Sequence, residues 1–180
     1  MNNLMNVIGE KFETGENFEI GYFNVIGDNV KIGHYVTIGH SCIIEEDVII
    51  GDNVDIQNYV LLKKGTRIGD NCYVDSYFRS SGDNEIGNNV TLRFGSTIAR
   101  KVFVRDYVFI SPNVMTVFSL PDGSKSAGTI IGEGVFIGTA AVLAPNITIR
   151  SGVIIGANSF VDKSIIEEGT YADTPVRKLR

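Results

Sequence analysis

The chain has 180 residues, 43% of them hydrophobic and 21% charged, with a formal net charge of −5. That apolar share excludes global disorder, the length suits one domain, and two cysteines with two histidines exclude a disulfide framework or a three-histidine metal site. The opening MNNLMNVIGE has neither a basic start nor an apolar run, so the expectation is no signal peptide, no membrane insertion and a cytoplasmic location.

Charge is uneven along the chain. Residues 1–62 carry 2 Lys/Arg against 10 Asp/Glu, residues 63–105 carry 8 against 4, and residues 106–180 carry 6 against 7. An acidic start and a basic middle do not make the basic face of a nucleic-acid binder. The basic middle does suit a small phosphorylated ligand.

A six-residue period runs through the chain. Of the sixteen positions at six-residue intervals from Ile20 to Ile110, fifteen are Ile, Leu or Val, Ser80 being the exception. The register slips and resumes at Ile131, and Ile131, Ile137, Leu143, Ile149, Ile155 and Val161 continue it. Ile, Leu and Val are 49 of the 180 residues, so chance would place about 6 at these 22 positions, against the 21 found. Period six matches neither 3.6 nor 3.5, which rules out helices. Each hexapeptide reads as a short β-branched strand followed by a corner such as Gly-Asp-Asn, whose residues tolerate positive φ. A six-residue edge cannot bury a face by itself, so the edges must stack as a solenoid.

Three edges per coil would give an 18-residue turn, on which the corners fall into three columns. An aromatic-to-small column runs from Gly39-His40-Ser41 through Gln57-Asn58-Tyr59, Asp75-Ser76-Tyr77, Arg93-Phe94-Gly95 and Ser111-Pro112-Asn113 to Gly138-Thr139-Ala140 and Gly156-Ala157-Asn158. A second column holds plain Gly-Asp-Asn turns. A charged column holds Glu45-Glu46-Asp47, Lys63-Lys64-Gly65, Ser81-Gly82-Asp83 and Ala99-Arg100-Lys101, and breaks at Val117 to Thr129. Off-pattern Phe78, Ser80 and Asn84 predict a bulge near Arg79.

The repeat, and the stretch IIGEGVFIGTAAVLAPNITIRSGVIIGANSFVDKSI followed by TPVRKLR, resemble the left-handed parallel β-helix (hexapeptide-repeat) acyltransferases over residues 8–180. The resemblance is greatest to enzymes that acetylate amino sugars on nucleotide carriers. It implies an all-β, left-handed parallel β-helix of about eight triangular coils, a domain over 1–166 with an extruded loop at 117–129, and a tail over 167–180. It also implies a homotrimer with sites between subunits and acetyl-CoA as co-substrate, with no bound cofactor and no metal. The expected activity is acetyl transfer to the amine of a nucleotide-linked amino sugar in surface polysaccharide synthesis. The alternatives are O-acetylation of a sugar or serine hydroxyl, or a non-catalytic scaffold.

Site residues follow from the columns and the resemblance. The CoA arm is expected over Thr139, Ala140, Ala157 and Asn158, with Lys163, Arg177, Lys178 and Arg180 near its phosphates; Thr174 departs from the family's usual Asn or Gly before proline. The acceptor is expected on Arg93, Phe94, Gly95, Ser76, Tyr77, Arg79 and Arg100, with Lys64 a further phosphate candidate. Asn113, Asp106 and Asp75 are the catalytic candidates, and backbone N–H groups near Gly95 are the oxyanion donors. His40 shares the column but lies about 19 Å below Pro112, out of reach of proton transfer; His34 lies on another corner. Both read as turn residues, and Cys42 and Cys72 as packed interior thiols. Without a histidine base an amine suits this site better than a hydroxyl, since an amine attacks through a lone pair and sheds its proton later.

Overall fold

The computed structural model describes residues 5–119 and 127–179 and is built wholly of strands and corners. Nearly every strand has two residues, an outward one followed by a buried Ile, Leu or Val, as in Thr37-Ile38 and Ile49-Ile50. The strands form three parallel sheets. Face 1 holds nine, from Val7–Ile8 to Phe160–Val161; face 2 holds eight, from Glu13–Thr14 to Thr148–Ile149; face 3 holds ten, nine from Glu19–Ile20 up to Thr170–Ala172 and the final, antiparallel Arg177–Lys178. Partners lie 18 residues apart, as in Val7↔Val25, Ile68↔Ile86 and Leu92↔Ile110. The core is the stack of inward aliphatics, Ile26, Ile44, Leu62 and Ile98 among them, each at most 1% exposed.

Nine coils are present where the repeat predicts about eight. The additional coil lies at the start, where Thr14 replaces an aliphatic and Val7-Ile8 pairs with Val25-Ile26. Strand pairing closes the coil there although the sequence pattern has lapsed. At the break, on the corner between faces 1 and 2, the register widens: Val104 pairs with Ile131, 27 residues on, nine more than in an ordinary coil. Of the expected loop, residues 120–126 lie outside the described residues. At the other end Ile155 pairs with Tyr171, and Tyr171 then pairs antiparallel with Lys178, which folds the tail back against face 3.

The corner geometry repeats. The third residue of nearly every corner takes a left-handed φ near +57°, including Asn29, Asn53, Tyr59, Tyr77 and Asn113. Asn and Asp accept that conformation readily; tyrosine does so at a cost of about 1–2 kcal/mol. The expected bulge at Arg79 is absent: Leu61↔Arg79 and Leu62↔Ser80 keep the ordinary register. The departure lies inside and at the next corner. Phe78 is fully buried between Val60 and Ser96, and the small Ser80 and Ser96 leave room for its ring. The Ser80 hydroxyl lies 2.5 Å from that of Thr66 and donates to Asn84 Oδ1 at 2.5 Å, and Asn84 Nδ2 donates to the Ala99 carbonyl.

Candidate active site

The aromatic-to-small column forms the corner between faces 3 and 1. Its lower half is a ladder of rings. Tyr22 stacks on His40 with centroids 5.5 Å apart, Tyr59 on Tyr77 at 5.0 Å, and Phe94 meets Tyr77 edge-on at 5.3 Å. Tyr59, Tyr77 and Phe94 are all about half exposed, so they present a surface rather than fill a core. Beside them on face 3, Arg93 Nε lies 3.4 Å from Asp75 Oδ2, and the guanidinium sits 5.7 Å from the Tyr73 ring centroid. The Asp75 side chain is only 16% exposed, so this pair is better shielded than a surface salt bridge. Burial raises the Tyr73 hydroxyl above its ordinary pKa, Asp75 and Asp55 add to the rise, and Arg93 opposes it. Tyr73 is therefore a protonated hydrogen-bond donor through the neutral range. Asp55 and Tyr73 were missed in the sequence; they occupy the outward strand positions two residues before the corners, and stacking the 18-residue rows of face 3 would have found them.

The column also changes in its hydrogen bonding. Low on the corner the central N–H of each turn donates to a side chain, mostly from the coil above: Tyr22 to His40 Nδ1 at 2.9 Å, His40 to Asn58 Oδ1 at 2.8 Å and Asn58 to Ser76 Oγ at 3.3 Å; Ser76 uses Asp75 Oδ1 at 2.8 Å. Then the acceptors run out. Above Phe94 stands Pro112, and above Thr139 stands Ala157, neither with a polar side chain. The N–H groups of Phe94, Thr139 and Ala157 have no acceptor among the described residues, and all three residues are exposed. The Gly95 N–H, by contrast, donates to the Ser76 carbonyl at 3.1 Å. The available amide near Gly95 is thus that of Phe94. Asn113 sits directly above Gly95, its Oδ1 2.7 Å from where a Cβ would stand, so its amide fills the space that this glycine (φ +66°) leaves open.

The structure brings Asp75, Ser76, Tyr77, Arg93, Phe94, Gly95, Asn113, Thr139, Ala140, Ala157 and Asn158 onto one corner and separates the other candidates from it. Asp106 lies on the corner between faces 2 and 3, where its Oδ1 accepts the Asn88 N–H at 2.8 Å as one rung of an Asp/Asn ladder. Arg79 projects from face 1, and Arg100 and Lys163 lie on the corner between faces 1 and 2. Lys163, Arg177 and Lys178 share a cleft of about 400 Å³ at the top of the solenoid with Glu167, Tyr171 and Val176. There Lys178 Nζ lies 2.8 Å from Glu167, which raises the lysine's pKa and lowers the carboxylate's. Thr174 donates to the Asn158 carbonyl at 3.1 Å, setting the tail on the small-residue column. Arg180 lies outside the described residues. His40 and His34 each use Nδ1 to accept an N–H, from Tyr22 and Glu16, and so act as corner residues. No cluster of potential metal ligands occurs among the described residues, and no helix among them is long and apolar enough to cross a membrane.

Residues 24–121 match the family described as "GMPPB C-terminal domain", and residues 128–163 match "Bacterial transferase hexapeptide (six repeats)". The chain belongs to the hexapeptide-repeat transferase family. Its curated relatives include WbbJ of Escherichia coli K12, provisionally named a lipopolysaccharide biosynthesis O-acetyl transferase, 31% identical over 98 residues that make up 51% of this chain and 50% of that protein. Another is a chloramphenicol acetyltransferase of Agrobacterium fabrum, 32% identical over 73 residues, 40% of this chain and 35% of that one. The chain thus spans half or less of the length of these relatives. In solved structures the fold recurs in the UDP-N-acetylglucosamine O-acyltransferase of Moraxella catarrhalis, with a TM-score of 0.87 at 20% identity, covering 97% of this chain and 72% of that one. It recurs in the Campylobacter jejuni UDP-N-acetylglucosamine acyltransferase with a TM-score of 0.85 at 17% identity, covering 97% and 72%. The architecture is therefore the left-handed parallel β-helix that the family resemblance implied.

Proposed function

We propose that this protein transfers the acetyl group of acetyl-CoA to the amine of a nucleotide-linked amino sugar, in cytoplasmic synthesis of a surface polysaccharide. One observation carries the reading: three exposed, unpaired corner amides, at Phe94, Thr139 and Ala157, rise in line above a ladder of half-exposed rings flanked by Arg93 and Asp75. The small corners at Thr139-Ala140 and Ala157-Asn158 let the pantetheine arm lie against backbone, with Lys163, Arg177 and Lys178 near the distal phosphates. The thioester carbonyl then meets the Phe94 N–H, which stabilises the oxyanion as the acceptor nitrogen attacks. The C–N bond forms, the C–S bond breaks, and the thiolate leaves with the proton the amine gives up. Asn113 orients the amine, and Asp75, fixed by Arg93, accepts a hydrogen bond from it.

Assembly as a homotrimer fits the surface. Val7, Val25, Ile43, Met115 and Phe160 project from face 1, each at least 37% exposed. Arg79 and Thr97 divide them into a lower and an upper apolar stretch; such stretches call for a partner, and a cyclic assembly of three covers them on every copy. A second reading, O-acetylation, is favoured by the name of the 31% identical relative.

Release of free thiol from acetyl-CoA against matched amino and hydroxyl nucleotide sugars separates the two readings: turnover with the amine is expected to exceed turnover with the hydroxyl, and the reverse ordering favours O-acetylation. Ala140→Trp is expected to abolish turnover and the acetyl-CoA-induced rise in Tm. It should fold, because Ala140 has φ +57° and Tyr59 and Tyr77 already place rings at this corner position with φ +60° and +63°. An unaltered Tm rise in Ala140→Trp would remove the CoA arm from this corner.

A further inference from the structure

We propose that the corner between faces 1 and 2 at coils four to six is a separate binding site for a diphosphate. Lys63 and Lys64 stand on one coil, Gly82 on the next and Arg100 and Lys101 on the one above, so four exposed cations bracket a residue with no side chain. Coil spacing puts the lower and upper cations about 10 Å apart along the corner, a span that two linked phosphoryl groups fill and one does not. Like charges held this closely repel. The carboxylates on hand are half-buried to exposed: Asp83 lies 3.5 Å from Arg100 Nε, Glu46 and Asp47 of the coil below lie 3.3 Å from Lys64 Nζ, and Glu45 Oε2 accepts the Lys64 N–H at 3.0 Å. Such pairs are weak and readily exchanged for phosphate oxygens, which suit the arginine fork and the lysine point charge. Lys63 and Lys101 have no ion pair among the described residues.

The backbone is shaped for this notch. Most corners have one left-handed residue; this one has two in succession, Gly82 at φ +94° and Asp83 at +49°. A Cβ on Gly82, which is itself buried, would meet the Lys64 carbonyl oxygen at 2.8 Å, Lys63 Cβ at 3.5 Å and Arg100 Nη2 at 3.7 Å, so a side chain here would collide with the coil below and push the cations apart. The Gly82 N–H donates inward to Ser80 Oγ at 3.2 Å. Ser80 in turn belongs to the buried Thr66–Ser80–Asn84 network. The hydroxyl and amide groups that interrupt the aliphatic core thus lie directly beneath the notch and hold its turn. Arg100 and Lys101 also line a cleft of about 420 Å³ with Ser81, Asp83 and Phe118, giving the ligand a polar wall and one aromatic surface.

Both CoA and a nucleoside diphosphate carry this group, so the test uses three probes: inorganic pyrophosphate, UDP and CoA, each titrated against thermal unfolding of the full chain. Pyrophosphate is expected to raise Tm saturably, with half-saturation at least about tenfold higher in Arg100→Gln/Lys101→Gln, which removes two charge-assisted contacts. The control Arg105→Gln/Arg150→Gln, two exposed arginines on another corner, is expected to match the wild type. If the UDP response weakens with that of pyrophosphate, the acceptor supplies the diphosphate; if the CoA response does, the donor supplies it. An identical half-saturation for pyrophosphate in Arg100→Gln/Lys101→Gln and the wild type overturns the proposal, as does an equal loss in the control. The readout is binding rather than turnover, so failure of the acyl-transfer reading would be seen separately, in thiol release.

Discussion

Cys72 shows what burial does to a single side chain in this fold. Its thiol donates to the Gly87 carbonyl at 3.1 Å, and burial, with Asp70 and Asp106 adding and backbone hydrogen bonds opposing, pushes its pKa from 9.0 to about 11. The folded state therefore holds this proton more tightly than the unfolded state. The resulting stability is complete below pH 9 and is lost as pH rises through 11, a loss of about 2–3 kcal/mol. Cys72→Val, which copies the residue found at Val54 and Val90 one coil away, is expected to flatten this alkaline decline and to change stability at pH 7 by under about 1.5 kcal/mol; urea unfolding at pH 7 and pH 10.5 measures both. Tyr77 illustrates the opposite compromise. Its left-handed φ of +63° suits Asn better than tyrosine, so Tyr77→Asn is expected to leave Tm unchanged or higher while raising KM for the acceptor through loss of the ring ladder. A fall in Tm with KM unchanged would make Tyr77 a packing residue only.

At the scale of the element, a two-residue strand draws its stability from its stack. Ser80 sits between Leu62 and Ile98 on face 1, and restoring the consensus aliphatic looks favourable in sequence. The structure predicts the reverse. Ser80→Leu would overpack against Phe78 and strand the Asn84 carbonyl and the Gly82 N–H, costing about 2 kcal/mol or more, measured as a lower urea midpoint. The same coils show how far the sequence could be read. Period six and the interior placement of Cys42 and Cys72 were legible by counting, and once the family resemblance supplied a three-sided coil, so was the sharing of one corner by Asp75, Arg93, Asn113 and Ala157. Three kinds of feature were not. The first coil lacks the aliphatic pattern at Thr14, and strand pairing alone reveals it. Phe78, Ser80 and Asn84 looked like a bulge because volume compensation and buried hydrogen bonds, the one to Thr66 included, need coordinates. The unpaired amides at Phe94, Thr139 and Ala157 arise from what Pro112 and Ala157 lack, which a motif does not display.

For the whole molecule, the apolar stretches on face 1 and the ringed corner beside them lie on one side of the prism, while the basic notch lies on the far edge of face 1. Sedimentation is expected to give about three times the 19.6 kDa chain mass, and Ile43→Lys, a charge in the lower apolar stretch of face 1 at a residue 45% exposed, is expected to dissociate the assembly while leaving strand content unchanged. A wild-type chain that sediments at its own mass at micromolar concentration would refute the trimer.

The constant register has a consequence for how such a molecule can be remodelled. From Val7 to Ile110 each rung repeats after 18 residues, so genetic excision of one complete turn, residues 25–42 for instance, would shorten the tower by a storey and keep every upper ledge in line with those below. Removing six residues higher up, 97–102 for instance, would instead swivel everything above by one side of the triangle, carrying the vacant amides of Thr139 and Ala157 away from the rings beneath them. Whole-turn trimming thus separates the column's height from its alignment, two variables that point substitution leaves entangled.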